Sequence, residues 1–319
     1  MRTLITGASG FAGGWLAQAC AASGDTVVGL SRSGDAPAGT GVRCDLADGL
    51  EVARIVADVR PDIVYHLAAL SHVGRSWEDP RATIEANACG AVSVLEAIRR
   101  HAPAATVVWA SSCEVYGAAA ELPVTERAPL HPANPYAISK ATGDMLAEVY
   151  ATAHGLRILR ARPFNHTGPG QRPIFIVSSL AEQAARARVS GAERLRIATG
   201  NPDTRRDYTD VRDVVAAYRL LASSDAPPGA YNVCSGHSTS ARELVAIVAD
   251  LLSPITVEHT IDPARVRTHE VIDHRGSYEA LRTATGWEPR IPLRTTIADT
   301  VAWWERELRA TDTAGSAAL

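Results

Sequence analysis

The sequence predicts an α/β fold, a doubly wound parallel sheet with a smaller domain interleaved toward its C-terminus. Three observations predict it. Short apolar runs alternate with helical patterns through the first half of the chain, as strands linked by crossover helices do. The first run leads straight into a glycine turn and a helix. Beyond about residue 162 prolines break the alternation and the pattern changes.

Taken in order, Arg2 to Thr6 reads as a strand, Gly7-Ala8-Ser9-Gly10-Phe11-Ala12-Gly13 as a turn, and Leu16, Ala19 and Cys20 as one side of a helix. Gly7 permits the tight turn, Gly10 lets backbone approach a pyrophosphate, and Gly13 lets helix and strand pack closely, with the anion at the helix N-terminus. This is a Rossmann-like dinucleotide signature in the spacing G-x-x-G-x-x-G. Further strands are expected at Thr26 to Leu30, Val42 to Cys44, Ile63 to Leu67, Thr106 to Ala110 and Arg157 to Arg162. Then Pro163, Pro169 and Pro173 interrupt the chain, Ile174 to Arg188 and Asp213 to Leu221 read as helices, and Tyr231 to Val233 as a returning strand. The expected division is a cofactor domain over 1–165, which the strand near 231–234 rejoins, and a substrate domain over 166–310. Their cleft is expected at the carboxyl ends of the strands, and the small polar tail 311–319 is expected to be flexible.

With 46% of 319 residues hydrophobic, the chain can fill the core of one large domain or two intimate ones. A net charge of -3 without a basic block argues against nucleic acid as a partner, because phosphate contact needs clustered Lys and Arg. Arg186, Arg188, Arg194 and Arg196 are interrupted by other residue types and read as a solvated face. No apolar run approaches a membrane span and no leader precedes the strand at Arg2, so a soluble, cytoplasmic protein is expected. Five cysteines without a Cys-x-x-Cys spacing suggest neither a disulfide framework nor a metal site. Cys20, Cys44, Cys89 and Cys234 read as small buried side chains; Cys113 stands apart because of its neighbours.

Those neighbours carry the chemistry. The runs Trp109 to Gly117 and Asn134 to Lys140 supply Ser112, Tyr136 and Lys140, which can run hydride chemistry at a carbon–oxygen bond. Pro135 suits the first position of a helix and Asn134 the cap before it, which sets Tyr136 and Lys140 four apart on one face. A free phenol titrates near ~10. An ammonium beside it and the positive ring of an oxidised nicotinamide would pull it toward neutrality, making it a proton donor and acceptor. Ser112, where a strand ends, can bond the same substrate oxygen.

Over nearly its whole length, to about Trp304, the chain resembles the extended short-chain dehydrogenases/reductases acting on nucleotide-activated sugars. The matching stretches are the opening glycine turn, Tyr65-His66-Leu67-Ala68-Ala69, Ser71-His72-Val73, Asn87-Ala88-Cys89-Gly90 and the Ser112/Tyr136/Lys140 set. They continue through Arg162-Pro163-Phe164-Asn165-His166-Thr167-Gly168-Pro169-Gly170-Gln171, Arg206-Asp207-Tyr208-Thr209-Asp210-Val211 and Tyr231-Asn232-Val233-Cys234-Ser235-Gly236. Within that group it most resembles the GDP-4-keto-6-deoxy-D-mannose reductases, whose sisters are the GDP-mannose and dTDP-glucose 4,6-dehydratases.

The resemblance implies roles residue by residue. The cofactor would meet Gly7, Ser9, Gly10, Phe11, Ala12 and Gly13, then Leu67, Ala68 and Ala69, with Asp45 and Leu46 at the adenine and Lys140 at the nicotinamide ribose. Ser31 and Arg32 stand where NAD enzymes usually carry an acid, and a guanidinium there can hold a 2′-phosphate. NADP(H) is therefore expected ahead of NAD(H). Asn87 matches an asparagine that props open the active-site helix. His72 matches the sugar-facing loop, Asn165 a substrate-positioning amide, Arg206 a clamp on the substrate diphosphate, and Arg267 and Glu270 the nucleotide segment.

The departure lies at Cys113 and Glu114. In the dTDP-sugar dehydratases these places resemble an Asp-Glu pair, the acid protonating the leaving hydroxyl and the Glu removing the C5 proton. Glu114 keeps the base, and Cys113 puts a thiol of ordinary pKa ~8.5 where the acid stands. GDP-mannose dehydratases also lack that Asp, and reductases can keep the Glu. The expected activity is reduction of the C4 ketone of a nucleotide-linked 4-keto-6-deoxyhexose; the alternative is a 4,6- or 5,6-dehydratase using Glu114, ahead of a 4-epimerase or a non-catalytic dinucleotide sensor. The resemblance also implies a homodimer through the helices that follow Pro80 and Pro135.

Overall fold

The structure, a computed structural model, describes residues 1–266 and 271–316. The chain forms two compact units that share it alternately: Met1–Phe164, Val214–Cys234 and Gly276–Glu288 make the first, and 165–213, 235–275 and the residues from 289 onward the second.

In the first unit the chain runs β1 (Arg2–Thr6), α1 (Phe11–Ala22), β2 (Thr26–Ser31), β3 (Thr40–Arg43), α2 (Gly49–Val59), β4 (Ile63–His66) and the short helices α3 (Val73–Glu78) and α4 (Pro80–Ile84). A π-helical turn, Glu85–Cys89, leads into α5 (Gly90–His101), and β5 (Thr106–Ala110), α6 (Pro135–His154) and β6 (Ile158–Pro163) follow. Gly229–Val233 returns beside β6 to complete seven strands in the order Gly229–Val233, β6, β5, β4, β1, β2, β3, paired in parallel throughout.

Alternating side chains along these strands bury both faces. Ile5, Tyr65, Val108 and Leu159 pack on one side with Leu16 of α1 and with Val214, Tyr218 and Leu221. Leu4, Val64, Val107, Trp109 and Ile158 pack on the other with Val52, Ile55, Val94 and Leu95 of α2 and α5. Adjacent residues of one strand thus serve opposite cores, the pattern of a sheet wound on both faces.

The differences from the sequence reading have local causes. β3 begins earlier than Val42 and is largely exposed, because it is the outer strand of the sheet and has no neighbour demanding apolar residues. Pro163 continues β6 instead of breaking it: β5 pairs with β6 only as far as Ala161, so the missing N–H of proline removes no bond on that side. The segment 276–288, read as part of the substrate domain, belongs to the first unit. The helix Leu293–Ser316 continues past Arg309 into the small polar tail, where Thr311 donates to the Glu307 carbonyl at 2.9 Å. Cys89 is exposed, not buried; it closes the π-helical turn, whose extra residue rotates the following positions relative to an α-helical register.

The second unit pairs Arg194–Thr199 with Thr256–Ile261 in parallel and sets Arg205–Asp210 against Asn165–Thr167, Ser238–Ser240 and Asp273–His274. Val177 and Leu180, Ile197, Leu244 and Val248, and Ile297 and Val301 form its core. Trp304 ties its long helix down by donating to the Ser178 hydroxyl at 3.1 Å. Among the described residues no helix is long and apolar enough to cross a membrane, and no group of three or more His, Cys, Asp and Glu could hold a metal ion.

Candidate active site

The glycine turn is a cradle that side chains would fill. Gly7 has φ +74°, and a Cβ there would lie 2.8 Å from Ala68 backbone; at Gly13 a Cβ would lie 2.1 Å from the Gly7 carbonyl oxygen. Gly10 precedes α1 with no side-chain cap, so the first N–H groups of the helix point outward for an anion. Ser9 is exposed, and Phe11 and Ala12 are half-buried at the start of the helix. Leu67 and Ala68 are held to β1: the Leu67 N–H donates to the Thr6 carbonyl and the Ala68 N–H to Thr6 Oγ1, both at 3.2 Å. Ala69, next in the chain, is half-buried. Thr6 Oγ1 in turn lies 2.9 Å from His66 Nδ1, and the His66 ring stacks on Trp109 at 4.0 Å. Burial pushes His66 down to about 3, with Lys140 adding to the fall, so the imidazole is neutral.

Ser112, Tyr136 and Lys140 converge from two elements. β5 ends at Ala110, and Ser112 opens a 3₁₀ turn, Cys113–Tyr116, its Oγ accepting the Glu114 N–H at 3.2 Å. Pro135 occupies the first turn of α6 and Asn134 caps it, accepting the Ala137 N–H at 2.8 Å. Burial raises the Tyr136 phenol above its ordinary value, a Ser112 hydrogen bond works against that rise, and Glu114 adds to it. The fall toward neutrality expected from the sequence is therefore not produced by the chain's own groups. Lys140, the only lysine of the chain, is buried and donates to the Ala110 carbonyl at 2.5 Å. Burial lowers it to about 8, against a rise from Asp144.

Glu114 is half-buried and its Oε2 accepts from Asn134 Nδ2 at 3.1 Å. Cys113 is buried among Val115, Tyr116, Val124, Phe164 and Cys234. Asn87 lies in the π-helical turn; its Oδ1 accepts the Leu70 N–H at 2.8 Å, and its Nδ2 donates to the Leu70 carbonyl at 3.1 Å and to Ser139 Oγ at 2.8 Å. Ser139 passes the connection on, donating to the Tyr136 carbonyl at 2.7 Å.

The remaining sites are less committed. Ser31 is buried, its hydroxyl donating to the Asp35 carbonyl at 2.9 Å and accepting the Gly34 N–H at 3.0 Å. Arg32 is exposed. Asp45 accepts the Ala47 N–H at 3.0 Å, and Leu46 packs on Gly90. His72 caps α3, its Nδ1 accepting the Arg75 N–H at 3.0 Å. In the second unit Asn165 is exposed. Arg206 there uses Nη1 on the carbonyls of Arg205 and Val271, at 2.8 and 2.7 Å. Arg267 and Glu270 lie outside the described residues.

Residues 4–300 match the GDP-mannose 4,6-dehydratase family. The chain belongs to that family. Among its curated relatives is the GDP-6-deoxy-D-mannose reductase of Pseudomonas aeruginosa, 39% identical over 251 residues that cover 78% of this chain and 82% of the relative. A GDP-mannose 4,6-dehydratase of Sinorhizobium fredii is 34% identical over 203 residues, covering 63% and 57%. Among solved structures, RMD of Pseudomonas aeruginosa, complexed with NADPH, superposes with a TM-score of 0.84 at 34% identity over 96% of this chain and 100% of that one.

Within this GDP-mannose 4,6-dehydratase family member, sequence reasoning missed three supporting groups. Asn134 was read only as a cap, yet it also holds Glu114. Ser139 and Asp144 gave no motif signal, although both follow Tyr136 on α6 at buried positions, Ser139 toward Asn87 and Asp144 toward β6. Asp144 is buried between Arg160 and Arg162 of β6, 2.9 and 2.8 Å away. A buried carboxylate one turn after Lys140, with two arginines alternating on the next strand, is the pattern that could have found it.

Proposed function

We propose that this chain is an NADPH-dependent reductase acting on the C4 ketone of a GDP-linked 4-keto-6-deoxyhexose. The observation that carries this reading is the pairing of the Tyr136 phenol, protonated at neutral pH as an ordinary phenol is, with the Ser112 hydroxyl just past the end of β5. Reduction needs that group to give a proton, whereas oxidation needs it to take one. The 39% identity to a GDP-6-deoxy-D-mannose reductase supports the same direction.

NADPH, when bound, supplies the hydride. Tyr136 gives its proton to the alkoxide oxygen at C4, Ser112 polarises the carbonyl, and Lys140 holds the nicotinamide ribose. The glycine turn and the N-terminus of α1 hold the cofactor diphosphate, Leu67 to Ala69 border it, Asp45 and Leu46 take the adenine, and Arg32 faces the 2′-phosphate. The Nε and Nη2 donors of Arg206, uncommitted among the described residues, suit the substrate diphosphate, and Asn165 and His72 suit the sugar. Asn87 acts through Ser139 as a positioning residue.

A dehydratase is the second reading, favoured by the retained Glu114 and by the Sinorhizobium fredii relative. Incubation with a panel of nucleotide sugars, with and without NADPH, followed by mass spectrometry separates the two. A product two mass units heavier that forms only with NADPH is expected; loss of water without added NADPH would replace the reductase with the dehydratase.

Two further features belong to this reading. Ile138, Met145 and Val149 form an exposed apolar stripe on α6, each 47% exposed or more, which suits pairing with a second copy into a homodimer. Five free cysteines suit the reducing cytoplasm.

A further inference from the structure

We propose that Arg43 is the second half of a two-arginine clamp, acting with Arg32 on the 2′-phosphate of the cofactor; this rests on the NADPH reading above.

The two residues stand on neighbouring strand ends because β2 and β3 end level. Ser31 pairs with Arg43 in register, and the Cys44 N–H donates to the Ser31 carbonyl at 2.9 Å. Arg43 thus closes the outer strand at the edge of the sheet from which Gly7, Ala68 and Ser112 also emerge. The connection after Ser31 folds back onto it. Gly34, at φ +86°, lies so close that a Cβ there would come within 3.3 Å of Arg43 Cβ. Arg32 starts this turn and Arg43 lies under it.

Chemistry then separates the candidates at this rim. A phosphate needs donors, and the one hydrogen of the Ser31 hydroxyl is given to the Asp35 carbonyl. Arg32 and Arg43 are both exposed, and among the described residues neither has an ion pair or a side-chain hydrogen bond. Arg54, on the next helix, shows the usual alternative: it is paired with both Glu51 and Asp58. The nearest acids in sequence, Asp35 and Asp45, pair with neither arginine. Two like charges left unneutralised beside one turn repel each other, and an anion of charge near −2 relieves both. A ribose hydroxyl, as NADH carries, offers neither guanidinium a charged partner.

Calorimetric titration with adenosine 2′,5′-bisphosphate and adenosine 5′-monophosphate tests the clamp without turnover. Wild-type protein should prefer the bisphosphate, and the preference should shrink as salt is added. Arg43→Ala should weaken the bisphosphate roughly 10-fold, the scale of one charged hydrogen bond, and leave the monophosphate unchanged; Arg32→Ala should do the same. An Arg43→Ala protein that keeps its bisphosphate affinity, or loses both ligands equally, overturns the role of Arg43 while wild-type preference still supports NADPH. Equal wild-type affinity for the two ligands would remove the NADPH reading itself, and the clamp with it.

Discussion

Asn134 links helix α6 to Glu114: its amide oxygen caps the helix at the Ala137 N–H, and its amide nitrogen donates to Glu114 Oε2 at 3.1 Å. Glu114 is thereby an acceptor in a fixed hydrogen bond, a role glutamine can also fill. If no C5–H bond breaks, Glu114→Gln should keep more than about a third of the wild-type rate, and C5 should take up no deuterium from heavy water. A loss of roughly 10²-fold or more, or deuterium at C5 of the wild-type product, would make Glu114 the base of a dehydratase.

Tyr136→Phe keeps the ring and removes only the transferable proton. Turnover should fall by roughly 10²–10⁴-fold, with NADPH affinity unchanged by fluorescence titration. A residual rate above about a tenth of wild type would take the proton-donor role away from Tyr136.

Lys140 makes the site costly. Burial lowers its pKa from 10.5 to about 8, so between those values the unfolded chain binds a proton the folded chain has released. Stability therefore rises with pH across that window, and below it the buried charge is a net cost. Lys140→Met should abolish turnover while stabilising the fold at pH 7 by roughly 1–3 kcal/mol, and should remove the rise above pH 8. Urea denaturation at pH 7 and pH 10 would show it; a destabilised Lys140→Met protein at pH 7 would contradict the argument.

Asp144 holds two arginines that side-chain exposures of 9% and 5% leave little water to solvate. Burial works to raise its carboxyl, yet hydrogen bonds and charge from Arg162, with Arg160, hold it below the ordinary value. Its stabilising share is full above the ordinary carboxylate range and is lost as pH falls through the depressed value. Asp144→Ala should cost about 3–5 kcal/mol, chiefly by leaving the Arg162 guanidinium buried without a carboxylate, since Arg160 keeps its pair with Glu148. Denaturant midpoints of Asp144→Ala and Asp144→Asn measure this, and a change below about 1 kcal/mol would refute it.

For the homodimer, Val149→Asp places a charge in the exposed stripe of α6. Light scattering should report a dimer for wild type at micromolar concentration and a monomer for the variant. A monomeric wild type would remove the proposal.

Much of the sheet was legible because each buried strand must be apolar on both faces, and Ile63, Val107 and Leu159 announce that in a few residues. β3 was less so, since an edge strand is free to be Thr-Gly-Val-Arg. Tyr136, Lys140 and Ser112 were legible because helix spacing and a strand end fix their neighbourhood. What the sequence concealed were contacts between distant elements: Ser139 with Asn87, separated by 52 residues, and Arg43 with Ser31, brought level only by strand register. The tilt of the Tyr136 phenol toward protonation was hidden too, because it depends on how completely folding buries the ring.

The single lysine has an analytical consequence. Guanidinium groups stay charged across the whole range in which proteins are ordinarily handled, so the arginine charge of this chain is silent to titration there. Apart from the amino terminus, which sits against Asp25 at 3.1 Å, the only amine is that of Lys140, held on the Ala110 carbonyl at the end of β5. Lysine labelled with ¹⁵N would thus give one side-chain resonance, and that resonance would report the buried end of β5 alone.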